Sequence, residues 1–294
     1  APAETPVALI VDSPWIPGHV RISTIDYMTL PDVWPRSNLA IEAAFPDVIF
    51  LPGFWAEMGM AAEPSAFGCR VSFSAGKTPA VRPAFADLDA ARGLQAPDPR
   101  TDGVMPLILA FYRHVEPRVR DAGHMIPMAA ARGPLTLAAH LLGVTNFLLG
   151  LKLDAAAAHA LLAVTTTVVR TWLEAQAEVL SDVRGILVLD DIAGFLSPED
   201  YEEFAHPYLK AVFDAFPGAV KMFHNDTNNP ASFGCYAELG IRVFNFTHQQ
   251  PLDRVRDLAG LLRARQAEGR RADRVHRGGG HVPRRARAAA ARGV

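Results

Sequence analysis

Six short apolar runs alternate along this chain with stretches of helical spacing, and that alternation restricts the fold more than any other feature of the sequence. The runs are residues 6–12 (PVALIVD), 47–51 (DVIFL), 125–130 (MIPMAA), 185–189 (GILVL), 220–223 (VKMF) and 241–246 (IRVFNF). Strands that are apolar on both faces belong to parallel sheets covered by helices. Parallel strands joined by helical crossovers give a closed barrel or an open doubly wound sheet. The predicted class is α/β, a (β/α)8 TIM-type barrel, with the doubly wound sheet as the alternative. A barrel requires two more β/α units after residue 260, and these are not recognisable in the sequence.

Helices are expected over residues 31–45, 105–122 and 154–180, the last with Leu161, Leu162, Val168, Val169 and Trp172 near the i, i+3, i+4 rhythm. Ser197-Pro198-Glu199-Asp200 supplies a cap, a proline for the first turn and two acids for the positive end of the helix dipole. Residues 71–85 carry Pro79 and Pro83, which suit a peripheral hairpin better than a central strand. Residues 13–30 and 59–68 read as loops.

Charge divides the chain in two. Ten Arg and only two acids, Glu268 and Asp273, lie beyond residue 260, although the whole chain is formally -2. The expected organisation is a single barrel domain over 1–260 and an atypical Arg/Ala/Gly-rich tail over 261–294, of the kind produced by disorder or by a GC-rich gene read out of frame. No aromatics interleave with the tail's charge, so no nucleic-acid partner is expected. Two cysteines, Cys69 and Cys235, are too few for a disulfide framework, and neither an apolar leader nor a membrane span is evident. The expectation is a cytoplasmic protein with no membrane contact.

The strand ends carry the chemistry. Asp190-Asp191 follow the fourth run, His224-Asn225-Asp226 the fifth, and Asn245 closes the sixth. Active sites of parallel α/β folds lie at such ends, so these residues are expected in one cleft, with His224, Asp226, Asp190 and Asp191 as catalytic groups. His224 and Asp226 are the tentative metal ligands, with a further ligand to be found. Alternation admits only one of Asp190 and Asp191 to the mouth; the other braces a loop. Arg132 either pairs with that acid or binds an anionic substrate, and His140 either faces the mouth or packs. Glu57 and Glu63 either cover the site from their loop or are merely solvated. Substrate contacts are expected from among Arg132, His140, Asn225, Asn245, Glu57 and Glu63. No Walker loop, GxGxxG or GxSxG elbow occurs, which argues against nucleotide binding and serine-hydrolase chemistry.

Arg132-Gly133-Pro134-Leu135-Thr136-Leu137, residues 189–198 (LDDIAGFLSP), Pro207-Tyr208-Leu209-Lys210, His224-Asn225-Asp226 and Gly240-Ile241 together resemble the uroporphyrinogen decarboxylase superfamily over roughly residues 5–260. That superfamily comprises the decarboxylases and the cobalamin-dependent methyltransferases, and the resemblance implies a (β/α)8 barrel with its site in the mouth. Three departures set the chain apart from the decarboxylases. Residues 20–27 hold only Arg21 where those enzymes grip carboxylates, Leu51-Pro52-Gly53 stands where an aspartate is usual, and His140 replaces a tyrosine.

The methyltransferase branch is the nearer resemblance. It implies zinc, cobalamin supplied by a corrinoid partner protein, and a small-molecule methyl acceptor. Its zinc site uses His-x-Cys and a later cysteine, whereas this chain has His224-x-Asp226. The expected activity is methyl transfer between a corrinoid protein and a small acceptor. The alternatives are decarboxylation of a tetrapyrrole or smaller carboxylated substrate, and a non-catalytic barrel that binds a tetrapyrrole or a protein.

Overall fold

The structure is a computed structural model that describes residues 7–56, 58–227, 229–247, 249, 253, 256–258 and 260. The tail over 261–294 and Glu57 lie outside the described residues. In chain order the elements begin with β1 (Val7–Leu9), α1 (Trp15–His19), α2 (Thr24–Thr29), α3 (Val33–Ala44), β2 (Val48–Phe50), α4 (Ala62–Ala66), β3 (Arg70–Ser74) and β4 (Lys77–Arg82). They continue with α5 (Met105–Asp121), β5 (Met128–Arg132), α6 (Pro134–Leu142), α7 (Val144–Leu153), α8 (Ala155–Val179) and β6 (Gly185–Leu189). The last are α9 (Pro198–Asp200), α10 (His206–Asp214), β7 (Val220–His224), α11 (Phe233–Tyr236) and β8 (Val243–Asn245). A π-helical turn, Tyr201–Ala205, joins α9 to α10.

All six expected strands form and run parallel: β1 pairs with β2, and β5, β6, β7 and β8 make one sheet in sequence order. β3 and β4 form the antiparallel hairpin expected of the proline-punctuated stretch. The third strand runs to Arg132, two residues further than its apolar run suggests. Two short helices, α1 and α2, occupy the stretch expected as a loop, and Ser23 caps α2 by accepting the Asp26 N–H at 2.9 Å. Glu63 likewise sits on α4 rather than on a loop.

Alternation sorts the strand residues. Met128, Ala130, Leu187, Leu189 and Met222 face a common interior with Trp55, and Ile10, Leu51 and Val243 pack against them. Ala129, Ala131, Ile186, Val188 and Phe223 face the opposite way and join the helices in the main core. Residues beside both β1–β2 and the four-stranded sheet thus line one interior, the arrangement of a TIM-barrel-like α/β wall.

The wall is not closed among the described residues, and the side of β5 turned from β6 shows why. Gln176 of α8, 1% exposed, accepts the Ala130 N–H at 3.1 Å and donates to the Ala130 carbonyl at 2.9 Å. Glu63 accepts the Arg132 N–H at 2.8 Å. Two side chains from helices therefore satisfy the edge that a neighbouring strand would pair. α8 has the length and composition to cross a membrane, yet 56% of its apolar window is buried and it packs against β5, α5, α6, α7 and α10 as a core helix.

Candidate active site

A single row of side chains crosses the C-terminal ends of the sheet. Register places Arg132 beside Leu189, Leu189 beside His224 and His224 beside Asn245. Arg132 and His224 follow the inward-facing Ala130 and Met222 at a spacing of two, so both turn to the barrel interior.

Beyond Leu189 the two consecutive carboxylates part. Asp190 is fully buried, and its Oδ2 accepts the Leu135 N–H at 3.0 Å. Its Oδ1 accepts the Thr136 N–H at 3.0 Å and the Thr136 hydroxyl at 2.8 Å. Asp190 is thus the N-terminal cap of α6 supplied from another element. A side chain at Gly133 would put its Cβ 2.2 Å from Asp190 Oδ2, so the close approach of turn and carboxylate requires glycine there. Burial pushes the Asp190 carboxyl up to about 7 in spite of its hydrogen bonds from Thr136 and Leu135. This corrects the expectation that Asp190 acts in the mouth, because both of its oxygens are directed at the start of α6.

Asp191 takes the other direction. Its Oδ1 accepts the Asp226 N–H at 3.0 Å and lies 3.6 Å from His224 Nε2. One donor atom each from Asp191, His224 and Asp226 falls within 4.8 Å of the other two, a group able to surround one cation. His224 Nδ1 is 2.5 Å from Asn245 Oδ1. An amide oxygen only accepts, so this contact places a proton on Nδ1, and Nε2 faces Asp191. Burial raises the Asp191 pKa, while the Asp226 N–H and the charges of His224 and Arg132 oppose that rise.

Asn225, expected as a substrate contact, is 3% exposed and faces away from the mouth. Its Nδ2 donates to the Asp190 carbonyl at 2.9 Å, and its Oδ1 accepts from Thr227 N at 3.1 Å and from the Thr227 hydroxyl at 2.6 Å. It ties the ends of β6 and β7 together, which is a bracing role.

Arg132 donates through Nη2 to the Gly59 carbonyl at 3.1 Å. Glu63, 2% exposed, is no solvated acid: burial raises its carboxyl pKa against the pull of the Arg132 charge. His140 is driven down to about 4 by burial first and by Arg132 second, so its imidazole stays neutral. Two residues that the sequence reading passed over join this region. Trp55 lines the cavity beside Arg132, signalled only by its place just after the Pro52-Gly53 strand end, and Gln176 lay hidden inside an amphipathic pattern.

Comparison with known proteins adds an independent line. Residues 53–267 match the family model described as uroporphyrinogen decarboxylase (URO-D). Among curated proteins, uroporphyrinogen decarboxylase from Anaeromyxobacter dehalogenans is 27% identical over 216 residues, covering 67% of this chain and 60% of that protein. A Thermus thermophilus enzyme of the same name is 29% identical over 143 residues, covering 46% of this chain and 41% of that protein. The chain therefore spans roughly half the length of these relatives. A methyltransferase from Methanosarcina mazei has the same fold, with a TM-score of 0.65 at 18% identity, covering 81% of this chain and 70% of its own.

Proposed function

Because the chain belongs to the uroporphyrinogen decarboxylase (URO-D) family, we propose that it is a cytoplasmic, methyltransferase-like enzyme transferring a methyl group between a corrinoid protein and a small acceptor. The observation that carries this reading is the convergence of Asp191, His224 and Asp226, with donor atoms within 4.8 Å of one another. Such a group could hold a catalytic metal ion. The methyltransferase fold of the Methanosarcina mazei protein supports the same branch.

The donor set fits a divalent cation held by one imidazole nitrogen and two carboxylates, a harder site than a thiolate one. It supplies the third ligand, Asp191, that His224-x-Asp226 lacks in sequence. Zinc there would lower the pKa of an acceptor thiol. The chain's own residues do the rest. Asn245 fixes the His224 tautomer, the Asp226 N–H orients Asp191, and Arg132 offers a positive charge on the same row of strand ends. Cobalamin would be supplied by the corrinoid partner protein.

Decarboxylation of a small carboxylated substrate is the second reading, favoured by the names of the curated relatives. Metal content and product analysis separate the two. Stoichiometric zinc in the wild type that is lost in His224→Ala, together with thiol methylation that depends on a methylated corrinoid donor, is the expected result. Carbon dioxide release with no methylated product, from a protein that purifies without metal, would replace the first reading by the second.

A further inference from the structure

The gap in the parallel wall between β2 and β5 holds a small cavity, with Trp55, Gly59, Glu63 and Arg132 in its lining. It leaves about 20 Å³ to the centre of a water molecule. One water needs roughly 10–15 Å³ of such space, so the cavity admits a water and excludes an organic head group. Trp55 is 4% exposed, and its indole Nε1 is buried with no hydrogen-bond partner among the described residues. An indole N–H is a donor only, and a native interior rarely leaves such a donor desolvated and unpaired. Acceptors stand in the same lining. Glu63 Oε1 accepts the Arg132 N–H at 2.8 Å, and the Gly59 carbonyl accepts from Arg132 Nη2 at 3.1 Å. A carboxyl and a carbonyl each carry lone pairs beyond one such bond.

We propose that this seam cavity is an integral-water site, in which one ordered water accepts from the Trp55 indole N–H and donates to the Glu63 carboxyl and the Gly59 carbonyl. The indole N–H disfavours a cation, and the Glu63 and Gly59 oxygens disfavour an anion, so the lining fits a neutral molecule that both accepts and donates. Burial holds Glu63 toward its uncharged form, which reduces the charge the cavity has to meet. The water does for Trp55 what Gln176 does for Ala130: it lets the parallel wall be interrupted without leaving a buried polar group unpaired. Trp55 packs in the barrel interior with Met128, Ala130, Leu187, Leu189 and Met222. A water that fixes the indole therefore fixes part of the interior that also holds Leu189, a member of the strand-end row between Arg132 and His224.

The water site is independent of the proposed activity, and neither metal nor turnover enters its measurement. The protein carries four Trp, so labelling with 15N-tryptophan gives indole signals from which Trp55→Phe identifies one. The expected result is a nuclear Overhauser cross-peak between water and the Trp55 indole proton, with the sign of a long-lived complex. Glu63→Gln, which keeps an acceptor, should retain the cross-peak, and Glu63→Leu should lose it. Crystals of the wild type should show one solvent peak within hydrogen-bond distance of Trp55 Nε1, Glu63 and the Gly59 carbonyl. That peak distinguishes a bound water from a signal relayed through an exchangeable Glu63 proton.

No solvent peak in the crystal, or no such cross-peak in the wild type, would overturn the site. A crystal in which Trp55 Nε1 donates directly to Glu63 would overturn it as well. A cross-peak that persists in Glu63→Leu would overturn the bridge to the carboxyl. Failure of the zinc reading, by contrast, leaves the water signal of the wild type in place.

Discussion

Asp190 and Asp191 are neighbours in sequence with opposite occupations, and the difference is set by what each carboxylate meets when β6 ends. Asp190 is surrounded by the donors of α6, and truncating it leaves two backbone N–H groups and a hydroxyl without their acceptor. Asp190→Ala should cost about 3 kcal/mol in urea unfolding. Its titration has a definite sign. The carboxyl is raised from 3.8 to about 7, so between those values the folded state keeps a proton that the unfolded state releases. The stability it contributes is present in full below pH ~4 and is lost as the pH rises toward 7. His140, lowered from 6.5 to about 4, works the other way, its neutral burial losing stability as the pH falls below 6.5. Asp190→Asn should therefore remove the decline between pH ~4 and ~7, and an unchanged slope would assign that decline to Glu63 and Asp191. The sequence made the partition legible, since alternation sends one of two adjacent side chains inward. It did not say which, because the carboxylate's partners lie more than fifty residues away on α6.

At the scale of elements, β5 is the least orthodox strand. Its backbone is completed on one side by β6 and on the other by side chains, so its stability depends on Gln176 in a way no strand propensity expresses. Gln176→Leu keeps the volume but strands a buried N–H and a buried carbonyl. An expected loss of about 2–4 kcal/mol follows, and Gln176→Glu should be worse than neutral replacement because it removes the donor and buries a charge. Thermal unfolding of both variants checks this, and a Leu variant as stable as wild type would mean that the edge finds other partners. The apolar runs announced six strands and the proline hairpin because period and punctuation are local signals. The short helices α1, α2 and α4 were not legible, since five or six residues carry too few turns to show a period.

Across the whole molecule the parallel wall is uneven. β6 is buried along its full length between two neighbours, whereas Leu9 and Ile49 at the β1–β2 pair are 46% and 50% exposed. Amide exchange should thus report β6 at the global unfolding free energy and β1–β2 through cheaper local opening, and equal protection of the two would contradict the interrupted wall. The barrel class was readable from the alternation of strands and helices. The interruption was not, because it arises from a glutamine and a glutamate reaching an edge from helices distant in sequence. The order of the four-stranded sheet also carries a kinetic consequence. Its paired residues lie 57 apart for Met128 and Gly185, 35 for Gly185 and Val220, and 21 for Met222 and Val243. Loop-closure entropy makes the last pairing cheaper than the first by about 0.9 kcal/mol. Of the pairings in this sheet, the one that brings His224 to Asn245 therefore carries the lowest loop-closure cost.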